Sequence, residues 1–263
     1  MYIDHLSSAQ NPRIKNLVAL REKSSLRREQ GLFVVEGMRE VEAAIAGGFE
    51  IDSLFFVPEL FPEEKAQLYI SEKYFTLSQS IYSKVAYRGT TEGLMAIAVQ
   101  KERKLSGIRL SKQPLVIVLE SVEKPGNLGA VLRTADAARA DAVIICDPLT
   151  DLYNSNIIRA SIGGIFTNRV IACTSAEAYE WLKTNNLHIF TTELQASKRY
   201  DHTDMTVPLA IVMGTESEGL SPFWRERADE RIIIPMSGSL DSLNVSVSTA
   251  IICFEALRQR DFK

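Results

Sequence analysis

From residue 115 onward the chain alternates short apolar runs with helical segments, and this alternation restricts its fold more than any other feature. Residues 115–119, 142–146, 188–192, 209–213 and 232–234 read as strands, while 128–139, 176–184 and a segment from about Ser246 read as helices. Short, β-rich and largely apolar runs joined through helices predict an α/β domain with a mostly parallel sheet, covered by helices on both faces. In such sheets ligands sit beyond the carboxyl ends of the strands, so the polar loops there are the first places to look for chemistry.

The first hundred residues form a second, smaller α/β unit. The Asn11-Pro12 turn opens a basic helix over 13–29. Strands at 33–37, 53–57 and 94–100 alternate with helices at 38–46, 62–72 and 79–86, with short pieces reaching Leu77. Residues 101–113 are charged, carry Gly107 and end at Pro114, which is the composition of a linker. The expected division is therefore a domain at 1–100, a linker at 101–113 and a domain at 114–263.

No apolar run approaches the ~20 residues that span a bilayer, and Met1 to Gln10 lacks the apolar core of a signal peptide. Cys146, Cys173 and Cys253 form no CxxC pair, and His5, His188 and His202 are dispersed. These features lead us to expect a reduced, cytoplasmic protein with no metal centre and no membrane partner. A net charge of −3 is not that of a general nucleic-acid binder, so any RNA contact must be local. Arg13, Lys15, Arg21, Lys23, Arg27 and Arg28, against only Asp4, Glu22 and Glu29, form one such patch. It reads equally as a phosphate-tracking surface or as a solvated helix face.

Three polar loops follow apolar strands. In the first, 120–130, Asn127 stands where a helix N-cap is expected, and Arg133 lies six residues on, able to reach back toward the loop. Its GNLGA run lacks the GxGxxG spacing of a dinucleotide site, which weakens an oxidoreductase reading. The second, 214–220, opens with Gly214, which permits close backbone approach, and carries Glu216 as a hydrogen-bond acceptor. The third, 237–248, joins strand 232–234 to the terminal helix and contains Ser242, Leu243 and Asn244. A fourth segment, 154–166, reads as a short core helix with a packing glycine pair, Gly163-Gly164.

Taken together, NLGAVLRTADAA, IVMGTESEGL and IIIPMSGSLDSLNVSVSTAIICFEAL resemble the three motifs of the SpoU (TrmH-type) RNA ribose 2′-O-methyltransferases of the SPOUT superfamily, in the family's order. RASIGGIF resembles the family's intermediate motif. Residues 1–100 resemble its substrate RNA-binding domain, a fold related to kink-turn-binding ribosomal proteins. The resemblance implies a trefoil knot in the second domain, a homodimer and S-adenosylmethionine as cofactor. It implies Asn127, Arg133, Glu216, Ser242 and Asn244 as the catalytic cluster, and Leu194, Gly214, Ile234 and Leu243 as cofactor contacts. Arg13, Lys15, Arg27 and Arg28 are the expected RNA contacts. The implied substrate is structured RNA, ribosomal RNA ahead of transfer RNA. A non-catalytic RNA-binding or assembly protein on the same fold is the alternative. One position departs from the family pattern: Arg139 stands where the first-motif helix usually ends in Gly.

Overall fold

The computed structural model describes residues 3–87, 92–196, 198–215 and 217–262. Among them the helices are, in chain order, α1 (Pro12–Glu22), α2 (Ser24–Gln30), α3 (Met38–Ala46), α4 (Glu63–Ala66), α5 (Gln79–Val85), α6 (Pro125–Ala137), α7 (Ser155–Ala160), α8 (Gly164–Thr167), α9 (Ser175–Thr184), α10 (Pro222–Arg227) and α11 (Val245–Gln259). The strands are β1 (Ile3–Leu6), β2 (Leu32–Glu36), β3 (Ile51–Phe56), β4 (Lys73–Leu77), β5 (Leu94–Val99), β6 (Leu115–Glu120), β7 (Ala142–Cys146), β8 (Val170–Cys173), β9 (His188–Thr192), β10 (Lys198–Arg199), β11 (Leu209–Met213) and β12 (Glu230–Ile233). They fold into two compact units, Met1–Glu102 with Asp151–Thr167, and Arg103–Thr150 with Asn168–Lys263.

The first unit is built on a mixed sheet of order β1-β4-β3-β5-β2, parallel across β1, β4 and β3 and antiparallel at β5. The helix expected over 13–29 is two helices, broken at Lys23 where the backbone is extended (φ −110°, ψ 110°). The break lets Arg27 turn inward, as described below. The expected helix over 62–72 shrinks to the single turn of α4. Residues 151–167 join this unit through an aromatic cluster, in which the Phe33 ring stacks on Tyr153 at 4.4 Å and on Phe166 at 5.7 Å. Such pairs add stabilisation beyond the area they bury. Gly163 has φ +77° there, and a Cβ on it would stand 2.6 Å from the Cβ of Ala43 on α3, so the glycine is a packing requirement.

The second unit has a seven-stranded sheet of order β10-β12-β9-β11-β6-β7-β8, with every pairing parallel. All residues of β6, β7 and β11 are buried, which explains why these runs are apolar rather than alternating. β8 and α10 were not anticipated; β8 is only four residues long, too short for its pattern to stand out. Helix α11 packs against α6 and β11. This arrangement brings the ends of β6, β9, β11 and β12 to one side of the sheet, where the polar loops lie.

Candidate active site

Loop anchoring begins at Glu120, the last residue of β6. Its carboxylate is buried and accepts both the backbone N–H of Ser221 (2.8 Å) and its hydroxyl (2.6 Å). Ser221 is also the N-cap of α10. The end of the first loop's strand is thus tied to the exit of the second loop. Within the second loop, Thr215 and Gly219 exchange backbone hydrogen bonds of 3.0 and 3.1 Å. Gly214 lies so close beneath them that a Cβ there would fall 2.2 Å from the carbonyl carbon of Gly219. Glu216 lies outside the described residues.

Asn127 is not the N-cap that its position suggested. Helix α6 starts two residues earlier, at Pro125, with Lys124 as its cap. Proline suits the first helical position because its missing N–H would have no intrahelical partner anyway. Asn127 is therefore already helical, and its Oδ1 accepts a hydrogen bond from Asn244 Nδ2 at 3.1 Å. Asn244 in turn caps α11, its Oδ1 accepting from the N–H of Ser246 (3.1 Å) and from the Ser246 hydroxyl (2.6 Å). Two asparagines 117 positions apart are joined by this bond. Arg133 is exposed on α6. Six residues turn it about 240° around the axis from Asn127, so the two do not share a helix face.

Beside this contact lies a cavity of about 310 Å³. Leu194, Gly214, Ile234 and Leu243 all line it, as does Ser242, whose hydroxyl donates to Asp241 Oδ1 at 3.2 Å. Asn127, Arg133 and Asn244 are not among its lining residues. The walls are apolar at Ile232, Leu220 and Val245, with Glu193, Glu218 and Asp241 as carboxylates and Arg225 as a cation. Glu193 is also held by Arg231 (3.0 Å to Nε) and by the Thr191 hydroxyl (3.1 Å). Sequence reasoning missed Glu120, Glu193, Arg225 and Asp241. The available signal for the first was a glutamate closing a wholly apolar strand.

The basic patch of the first unit divides. Arg13, Lys15 and Arg28 are exposed, and the Arg13 guanidinium lies over the Phe75 ring at 4.6 Å. Arg27 does not belong with them. It is 2% exposed, its Nε donates to Asp151 at 2.6 Å, and its Nη1 donates to the carbonyls of Leu20 and Arg21 at 2.6 and 2.9 Å. It cannot track an RNA backbone, because it is buried and its Nε and Nη1 already donate inside the fold. Among the described residues no group of three or more His, Cys, Asp or Glu is placed to hold a metal ion, and no helix is long and apolar enough to cross a membrane.

A parallel sheet whose loops gather an asparagine pair and an acid-lined cleft at their carboxyl ends defines an α/β protein that works on a bound ligand there. Residues 114–254 match the SpoU rRNA Methylase family and residues 11–96 match the MRM3-like substrate binding domain, and the chain belongs to the SpoU family. Its relatives include the Bacillus subtilis 23S rRNA (guanosine(2553)-2′-O)-methyltransferase RlmP, 28% identical over 95% of this chain and 97% of that protein. The Escherichia coli 23S rRNA (guanosine-2′-O-)-methyltransferase RlmB is 42% identical over 56% of this chain and 61% of that protein. Among solved structures, an RNA 2′-O ribose methyltransferase superposes with a TM-score of 0.84 at 40% identity, over 97% of this chain and 99% of that one. An AdoMet-bound rRNA methyltransferase from Sinorhizobium meliloti reaches 0.88 at 27% identity, over 97% and 98%.

Proposed function

We propose that this protein methylates a ribose 2′-hydroxyl in ribosomal RNA, with S-adenosylmethionine as donor. The observation that carries the reading is the bond from Asn244 to Asn127, set beside a cleft lined by all four residues expected to touch the cofactor. The cleft suits that cofactor. With Glu193 paired to Arg231, Glu218 and Asp241 against Arg225 still favour a ligand of net positive charge, and the apolar walls accept an adenine ring. Gly214, Ile234, Leu243 and Leu194 would hold it, and when bound it supplies a methyl group activated on a sulfonium.

The protein's task is then to bring a ribose hydroxyl in line with that methyl and to manage the departing proton. A guanidinium holds its proton at neutral pH and makes a poor general base. We assign Arg133 to clamping a neighbouring phosphate and stabilising the charge that develops on the hydroxyl oxygen. Ser242, Asn127 and Asn244 orient the sugar. Arg13, Lys15 and Arg28 contact the RNA backbone.

The reading extends to a homodimer, supported by the α11 face on which Val247 and Phe254, seven residues apart, remain 47% and 42% exposed. It extends also to a trefoil knot, supported by the insertion of β11 between β9 and β6 and the return of α11 to α6. It places the protein in the cytoplasm, with its RNA. The division at 1–100, 101–113 and 114–263 gives substrate recognition to the first domain and transfer to the last.

The test is methyl incorporation from labelled S-adenosylmethionine into ribosomal and transfer RNA, with ribose methylation mapped by nucleotide. Label in a 23S rRNA ribose supports the proposal; label in transfer RNA alone replaces the substrate, and none at all removes the activity. Arg133→Ala should lower kcat about 100- to 1000-fold with cofactor affinity unchanged. Recovery by Arg133→Lys marks a point-charge role, and its absence marks bidentate geometry.

A further inference from the structure

We infer that Arg159, Ser155 and Tyr87 of the first unit form a preformed receptor for a phosphate of the substrate RNA; the identity of the ligand as RNA rests on the function proposed above. Arg159 and Ser155 stand on α7, four residues apart and so one turn above the other on the same face. Ser155 Oγ and Arg159 Nη1 are both buried with no hydrogen-bond partner among the described residues. Native proteins pair nearly all buried polar side-chain atoms, and leaving one bare costs its full desolvation, more so for a charged group. Two bare groups on one helix face, a cation and a hydroxyl, match one anion that accepts from both.

The guanidinium is held ready. Its central carbon lies 4.6 Å from the centre of the Tyr87 ring, and a planar cation stacked on an aromatic face keeps its N–H fork free for a ligand. Tyr87 is itself fixed, its backbone N–H donating to both carboxylate oxygens of Glu36 at 3.3 and 3.0 Å. Tyr87 remains 45% exposed, which leaves a surface on which a base can stack next to the phosphate. Arg27 in the same unit is the contrast: its donors are paired with Asp151 and two carbonyls. Phosphate is the anion that fits, because guanidinium and hydroxyl together donate to two of its oxygens in the manner typical of RNA backbone contacts.

The experiment has two arms, each on the full-length protein with Arg159→Ala, Arg159→Lys and Ser155→Ala. In the first, inorganic phosphate is compared with chloride at equal ionic strength by thermal unfolding. Phosphate should raise the Tm of the wild type, and raise it less in each alanine variant. In the second, binding to deproteinised bacterial 23S rRNA is measured across salt concentrations. Arg159→Ala should weaken binding roughly tenfold and reduce the salt slope by about one, with cofactor affinity by calorimetry unchanged. Arg159→Lys should restore the slope but not the full affinity. Equal phosphate response and equal RNA affinity in wild type and Arg159→Ala would overturn the receptor. A phosphate response with unaltered RNA affinity would overturn its assignment to RNA. If the wild type binds no rRNA while the phosphate arm holds, the anion site stands and the rRNA reading fails.

Discussion

The two units put charge to opposite uses. In the first, the arginine that looked most like a surface contact is inside, where Arg27 joins α2 to Asp151 and to the end of α1. In the second, buried charge serves to hold loops. Glu120 grips Ser221, Asp141 accepts from Ser111 and Leu115, and Arg260 donates to the carbonyls of Met205, Gln113, Pro114 and Val207. The groups that could meet a substrate, Arg133, Ser242 and Asn244, stay exposed. Charge type along a sequence does not separate these two uses; the position of a residue relative to a strand end does.

The sharpest way to break this contrast is Arg27→Ala. Removing one partner of a buried ion pair leaves Asp151 charged and unpaired, at a cost of about 3–5 kcal/mol. Denaturant unfolding should show a destabilisation of that size. Arg28→Ala, on the exposed side of the same helix, should stay within about 0.5 kcal/mol of wild type. If instead Arg28→Ala destabilises and Arg27→Ala does not, the division of the basic patch is wrong.

Next in size is Gly214→Ala. The added methyl meets backbone rather than a flexible side chain, so the turn between Thr215 and Gly219 must open. Overpacking of this kind costs about 1–3 kcal/mol. If the cleft is the cofactor site, most of that cost should appear in binding, as a roughly ten- to hundredfold rise in Kd by calorimetry. A folded variant with wild-type cofactor affinity would separate the cleft from the cofactor.

What could be read from sequence follows the same line. The central strands of the second unit were readable because burial on both faces makes them apolar throughout, and 142–146 and 209–213 coincide with β7 and β11; 188–192 coincides with β9, whose buried centre is flanked by partly exposed ends. The asparagine pair was nameable only through family resemblance, since no periodicity links residues 117 positions apart. The capping role given to Asn127 failed because Pro125 starts the helix early. The inward turn of Arg27 was hidden because its partner, Asp151, is 124 residues away. Long-range pairing leaves no local trace.

The smallest effect tests how the two units pay for tight turns. Among the described residues, left-handed backbone in the first unit falls mostly on glycine, as at Gly31 and Gly163, whereas the second unit places Ser121, Arg139, Asp147 and Asn186 there. Arg139 is the clearest case. It follows the cap of α6 with φ 50°, its N–H donating to Asp136 O at 3.1 Å and the N–H of Ala140 to Ala135 O at 2.9 Å. That pair of bonds is a Schellman ending, in which the left-handed position strongly favours glycine. The family's usual glycine would fit without strain, and a side chain there costs about 1 kcal/mol. Arg139→Gly should therefore stabilise the protein by up to that amount, with kcat and cofactor affinity unchanged. A loss of stability would mean that the arginine side chain makes a contribution larger than the backbone strain it imposes, and a loss of RNA affinity alone would move Arg139 into the substrate surface.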